Sequence, residues 1–172
     1  MKPLDIAAAI LVAVIWGLAF VASRIALSEL SPAMMTALRF LVASLPCLLV
    51  RKPAVSWGLL IAISGTLFLG QFLAQAYGLA HQVPVGLTSV IVQSQALFTV
   101  AFAVLAFREL PSRPQWIGIG VATMGLAMIC FTVGYDFTVS AFLVLMLSPI
   151  CFAIGNLLLR RARHLPQFDL FA

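Results

Sequence analysis

The sequence predicts an all-α membrane protein with six transmembrane helices, and three observations lead there. The 172 residues are 63% hydrophobic and only 9% charged, whereas an ordinary soluble domain is about half apolar and a quarter charged. Mean hydropathy is +1.15. The apolar residues also gather into six runs, each near the ~20 residues that a helical crossing needs. So few charges cannot cover a soluble fold of this length, so the bilayer is the solvent.

The first run, Ile6–Leu27, follows Lys2 and Asp5. Val21-Ala22-Ser23 loosely imitates a signal-peptide cleavage site, but the length of the run and its Trp16-Gly17 interruption favour an uncleaved crossing. The second run, Ala33–Val50, lies between Pro32 and the Arg51-Lys52-Pro53 turn; Pro46 falls inside it. The third and fourth, Trp57–Ala80 and Val85–Phe107, are separated by a short segment ending at Pro84. Pro111 and Pro114 open the fifth, Gln115–Val133, and Gly134 closes it; the sixth, Ser140–Leu159, contains Pro149. Turn-forming residues in gaps this short make consecutive helices antiparallel neighbours.

Lys2, Arg51, Lys52, Arg108, Arg113, Arg160, Arg161 and Arg163 all fall on the side shared by the N-terminus and the even-numbered gaps. Only Arg24 and Arg39 remain, inside or at the end of crossings. This bias orients the N-terminus toward the cytoplasm. It also accounts for the net charge of +5 without a nucleic-acid partner, which would need a basic face on a soluble domain. Cys47, Cys130 and Cys151 lie singly in apolar runs, and His81 and His164 stand far apart, so neither a disulfide framework nor a metal site is indicated.

Polar residues inside the crossings mark the candidate site. At about 100° per residue, Ser64, Gln71, Gln75 and Gly78 share one stripe of the third run, and Thr88, Gln95 and Thr99 share one stripe of the fourth. Gln93 lies about 200° from Gln95 on an uninterrupted helix, on a line with Gly86 and Ser89. Two readings of these amides stand: interhelical hydrogen bonding, at about 0.6 kcal/mol per contact, or the lining of a substrate cavity.

Arg39 sits seven residues past Pro32, ~10 Å into its helix. There an arginine costs at least ~2.5–3.5 kcal/mol on insertion scales. It either faces a cavity, where it can hold a carboxylate bidentately, or snorkels outward to Glu29. Trp16, in mid-crossing, either walls a cavity or packs between helices. Gly118, Ala122 and Gly125 form a small-residue stripe that predicts a close helix–helix contact on the fifth run. Glu109, beside Arg108, is expected to orient the end of the fourth. The five acids all sit at or beyond the membrane boundaries, so no mid-membrane carboxylate is present to carry a proton. No acid pair, Ser/His pairing or metal cluster suggests an enzyme.

The sixth run faintly echoes the first. Trp16 to Arg24 and Phe152 to Arg160 each span eight residues, with Gly17-Leu18-Ala19-Phe20 set against Ala153-Ile154-Gly155-Asn156. Beyond this, Trp16-Gly17-Leu18 with Phe20, Arg39-Phe40, Gln71-Phe72, Pro84, Gly86-Leu87, Ser89, Gln93, Gln95-Ala96, Phe98-Thr99, Glu109, Gly118, Gly125 and Gly155-Asn156 resemble the EamA-type members of the drug/metabolite transporter superfamily. The glutamine segment is the most specific part.

The resemblance implies an exporter of ten helices in two inverted five-helix repeats, working by alternating access in a bacterial inner membrane. Residues 1–137 would form the first repeat, and 138–172 would supply the first helix of the second. Four helices are then expected from further sequence or from a partner chain. Small metabolites, particularly amino acids of the cysteine pathway, are the implied substrates, with no cofactor. Arg39, Gln95, Gln71, Gln75, Trp16 and Asn156 are the candidate substrate-binding residues. A non-transporting scaffold and a multidrug exporter are the alternatives.

Overall fold

A computed structural model describes residues 3–46, 55–108, 110–132 and 138–162. Among them are six helices and no strand: α1 (Pro3–Ala26), α2 (Pro32–Ser44), α3 (Trp57–Ala80), α4 (Val85–Phe107), α5 (Arg113–Thr132) and α6 (Val139–Ala162). α1, α3, α4 and α6 are each long and apolar enough to cross a bilayer, at 23 or 24 residues. The chain is an all-α membrane protein. α2 ends at Ser44, so Pro46 stands beyond the helix terminus.

In lipid the first N–H groups of each helix need partners from the chain itself, and local hydroxyls supply several. Ser31 Oγ accepts from the Met34 N–H (3.2 Å) with Pro32 at the first helical position, and Ser56 Oγ accepts from the Leu59 N–H (3.4 Å). Ahead of α5, the Gln115 side chain reaches back to the Ser112 N–H (2.7 Å), half of a capping box. Thr138 Oγ1 takes the Ala141 N–H of α6 at 3.4 Å. α4 ends with Arg108 in the left-handed region, φ 55°.

Two long helices are not regular. α3 runs as α-helix over Trp57–Ile63, as π-helix over Ser64–Gly70, and as α-helix again over Gln71–Ala80. The Thr66 hydroxyl donates to the Ala62 carbonyl at 2.7 Å within the wide segment. α4 is interrupted at Ser94, whose N–H and hydroxyl both donate to the Ile91 carbonyl, at 3.0 and 2.6 Å. This is a tightened, 3₁₀-like turn. Both irregularities change which side chains share a face.

α6 lies at the centre, against α3 and α4. Its contact with α3 is set by glycines. A Cβ at Gly155 would lie 2.6 Å from Leu67 Cβ and 2.9 Å from that residue's backbone N and Cα. Gly70 faces Cys151 Sγ at 3.0 Å, and Gly78 faces Leu145 Cβ at 3.0 Å. The three pairings run in opposite numerical order, so the helices are antiparallel. The core itself combines Leu87, Ile91 and Val92 of α4 with Ala141 and Leu145 of α6, and Phe20, Tyr77 and Ile129 pack onto it.

The stripe on α5 is not used in this way. Among the described residues, nothing lies within 4 Å of a Cβ built at Gly118 or Gly125, so the stripe makes no close helix–helix contact with them. α5 reaches the core through Ile129, and its small residues face outward. Spacing reveals the capacity for close approach but not which helix arrives. Glu109 lies outside the described residues.

Candidate functional site

A cavity of about 680 Å³ opens between α1, α2, α3, α4 and α6. α1 contributes Trp16, Gly17 and Phe20; α2 contributes Arg39; α3 contributes Gln71, Phe72 and Gln75. α4 adds Ser89, Gln93 and Gln95, and α6 adds Phe152. Trp16 stands at the rim, 58% exposed, while Gln71 and Gln75 are buried.

Arg39 turns inward to this cavity rather than outward to Glu29. Its Nη2 donates to Ser23 Oγ at 2.7 Å, and Ser23 passes the hydrogen bond on to the Ala19 carbonyl, also at 2.7 Å. The guanidinium also lies over Phe72, 5.0 Å from the ring centroid. Phe40 steadies Phe72 edge-on at 5.4 Å. A guanidinium carries five N–H donors, and Ser23 occupies one. The group is therefore anchored on one edge and over its face, with donors left for a planar anion. Arg39 also borders a shallower depression of about 340 Å³ beside Ala26, Leu30 and Met35, which puts it between the cavity and the end of α1 carrying Arg24.

The glutamines converge more closely than a regular helix allows. Gln93 and Gln95 both line the cavity, although an unbroken helix sets them about 200° apart. The tightened turn at Ser94 is the local cause. Thr99 Oγ1 donates to the Gln95 carbonyl at 2.7 Å, while Gln95 Oε1 is buried and has no partner. Among the described residues, no side-chain hydrogen bond engages Gln71 or Gln75. Ser64 leaves the stripe it was expected to share with them, because the π-helical segment lies between; it is exposed and off the cavity.

Asn156 is half-buried and is not among the residues lining this cavity, where Phe152 stands on α6. Asn156 is one turn further along α6, about 6 Å by helical rise, next to the Gly155–Leu67 contact. Sequence reasoning also passed over Phe72 and Phe20 as wall residues. The echo held a usable signal, since the aromatics it aligns, Trp16 and Phe152, face the same cavity. Its arginines correspond too. Arg24 donates to the Leu79 carbonyl near the end of α3 and to Gln82 Oε1 at 2.7 Å. Arg160 lies 4.5 Å from the Phe107 ring at the end of α4.

Among the described residues, the cavity is lined by one cation and several neutral polar groups within a helical membrane bundle. Residues 4–131 match the EamA-like transporter family, and the chain belongs to that family. It is 31% identical over 163 residues to a probable amino-acid metabolite efflux pump of Salmonella typhimurium, covering 92% of this chain and 54% of that protein. It is 30% identical over 152 residues to a probable amino-acid metabolite efflux pump of Escherichia coli K12, covering 87% and 51%. An uncharacterized inner membrane transporter, YedA of Escherichia coli K12, is 32% identical over 123 residues, covering 67% and 40%. The chain thus spans about half the length of the first two relatives.

Proposed function

We propose that this chain forms the cavity-bearing part of a bacterial inner-membrane exporter of small amino-acid metabolites, with its N-terminus in the cytoplasm. Amino acids of the cysteine pathway are the proposed cargo. Arg39 holds the substrate carboxylate; Gln71, Gln75 and Gln95 bind its polar groups; Trp16 closes one wall. Residues 1–137 act as a first repeat, and α6 opens a second, inverted one completed by further sequence or a partner chain. Rocking of the repeats around the fixed site gives alternating access.

The observation that carries this reading is the state of the buried amides. In a scaffold, Gln71 and Gln75 would bond neighbouring helices, yet both are buried at the cavity without such bonds. The test is efflux of labelled cysteine and O-acetylserine, against other amino acids and cationic drugs, from cells expressing the full-length protein. Arg39→Ala and Gln75→Leu are expected to lower efflux at least about tenfold, the equivalent of 1.4 kcal/mol, with unchanged protein levels. Unaltered efflux in both variants would remove the site from the mechanism.

A further inference from the structure

Among the described residues, the cavity carries a charge that its wall does not balance. Arg39 is its one ionised side chain, and no Asp or Glu lines it among the described residues. The remaining polar lining is neutral: four glutamine amides, and a Ser89 hydroxyl already donating to the Gly86 carbonyl at 2.7 Å. Trp16, Phe20, Phe72 and Phe152 supply apolar surface.

A zwitterionic amino acid fits this wall only in part. Its carboxylate neutralises Arg39, but its ammonium must leave water for a surface that holds no anion among the described residues. Burying an ionised group without a counter-charge costs far more than burying a neutral amide that finds hydrogen-bond partners. Acylating the amine removes that charge and supplies an N–H and a C=O, which glutamine side chains match as acceptor and donor. Gln95 Oε1 is such an acceptor, buried and unpartnered.

We propose that the cavity prefers monoanionic carboxylates whose α-amine is acylated or absent over the parent zwitterions. This rests on the reading of Arg39 as the carboxylate anchor and, within amino-acid metabolites, ranks acylated or deaminated derivatives above the zwitterions cysteine and O-acetylserine. The preference arises from charge balance, so it depends on Arg39 as well as on the amides.

The test uses Trp16 as reporter. Trp57→Phe and Trp116→Phe remove the other two tryptophans of these 172 residues, neither of which lines the cavity, and any tryptophan in the completing sequence or chain is likewise changed to Phe. Full-length protein in lipid nanodiscs is titrated with serine, N-acetylserine and serine methyl ester while Trp16 emission is followed. N-acetylserine is expected to bind at least about tenfold more tightly than serine, a 1.4 kcal/mol difference, and the cationic ester most weakly. In Arg39→Gln the ratio of N-acetylserine to serine affinity should collapse toward unity.

Serine binding as tightly as N-acetylserine would overturn the preference. So would an undiminished ratio in Arg39→Gln; should that variant not fold, the three-ligand order in the parent protein decides alone. If serine binds better while export persists, the preference falls and the exporter reading stands. If none of the three perturbs Trp16 while export persists, the cargo binds elsewhere and the preference falls with the site.

Discussion

Adding a single methyl group at Gly155 tests the packing that positions α6 against the cavity. The new Cβ would meet Leu67 Cβ at 2.6 Å and the Leu67 backbone at 2.9 Å. Carbon contacts are comfortable near 3.5–4.0 Å, so α3 and α6 must part by roughly 1 Å. Backbone cannot rotate away as a side chain can, and the neighbouring Gly70–Cys151 and Gly78–Leu145 contacts loosen together. Such overpacking costs about 1–3 kcal/mol, partly offset by the roughly 0.5–1 kcal/mol by which alanine exceeds glycine inside a helix.

The net expectation for Gly155→Ala is a loss of about 1–2 kcal/mol, or roughly 2–8 °C in Tm at 2–4 °C per kcal/mol for a chain of this size. Gly125→Ala is the matched control. Its Cβ enters open space, leaving only the propensity gain, so its Tm should hold or rise. Thermal unfolding of both variants in detergent, followed by circular dichroism, makes the comparison. Equal melting of Gly155→Ala and Gly125→Ala would refute the close crossing of α3 and α6.

Two further outcomes follow from buried polar groups. Ser23→Ala removes the hydrogen bond that fixes Arg39 Nη2 while leaving its contact with Phe72. Efflux measurements should show KM raised by about threefold to tenfold, about 0.7–1.4 kcal/mol, below the ~1.5–3 kcal/mol of a charged hydrogen bond because Arg39 itself remains, with little change in Tm. Thr88→Val replaces a fully buried hydroxyl that has no partner with a methyl of similar shape. It should raise stability by about 1 kcal/mol, read as a higher Tm.

Much of the fold was legible because the bilayer imposes it. Trp57–Ala80 and Val85–Phe107 coincide with the apolar runs read from sequence, and Pro3–Ala26 differs by a few residues from Ile6–Leu27. The interior of the helices was less legible. Periodicity arguments assume 3.6 residues per turn throughout, whereas the Ser64–Gly70 segment widens and the turn at Ser94 tightens. The first takes Ser64 away from Gln71; the second brings Gln93 to the cavity beside Gln95. The first has a tertiary partner, since Leu67 in the wide segment is pressed against Gly155, and the second is held locally by Ser94 and Ile91.

Among the site residues, Arg39, Gln71, Gln75, Gln95 and Trp16 were recognisable by their cost or rarity at membrane depth, and all five line the cavity. Phe72 and Phe152 carried no such mark, since phenylalanine is ordinary in lipid. Asn156 carried the mark and lies elsewhere, which shows that membrane cost identifies residues needing shelter without saying what shelters them. The same ambiguity holds for Gly118 and Gly125, which meet no described neighbour, while Gly70, Gly78 and Gly155 make close contacts.

Water access to the amides is the most direct measure of the account. With Cys47, Cys130, Cys151 and any cysteine of the completing sequence or chain replaced by alanine, single cysteines at Gln75, Gln95 and Gly125 can be treated with a hydrophilic thiosulfonate in membrane vesicles. Reaction requires the thiolate, which forms in contact with water and not against acyl chains. The thiols at positions 75 and 95 should react and be slowed by bound carboxylate substrate, while the thiol at 125 stays inert. If 75 and 95 prove as unreactive as 125, the cavity is dry and the transport site is not there.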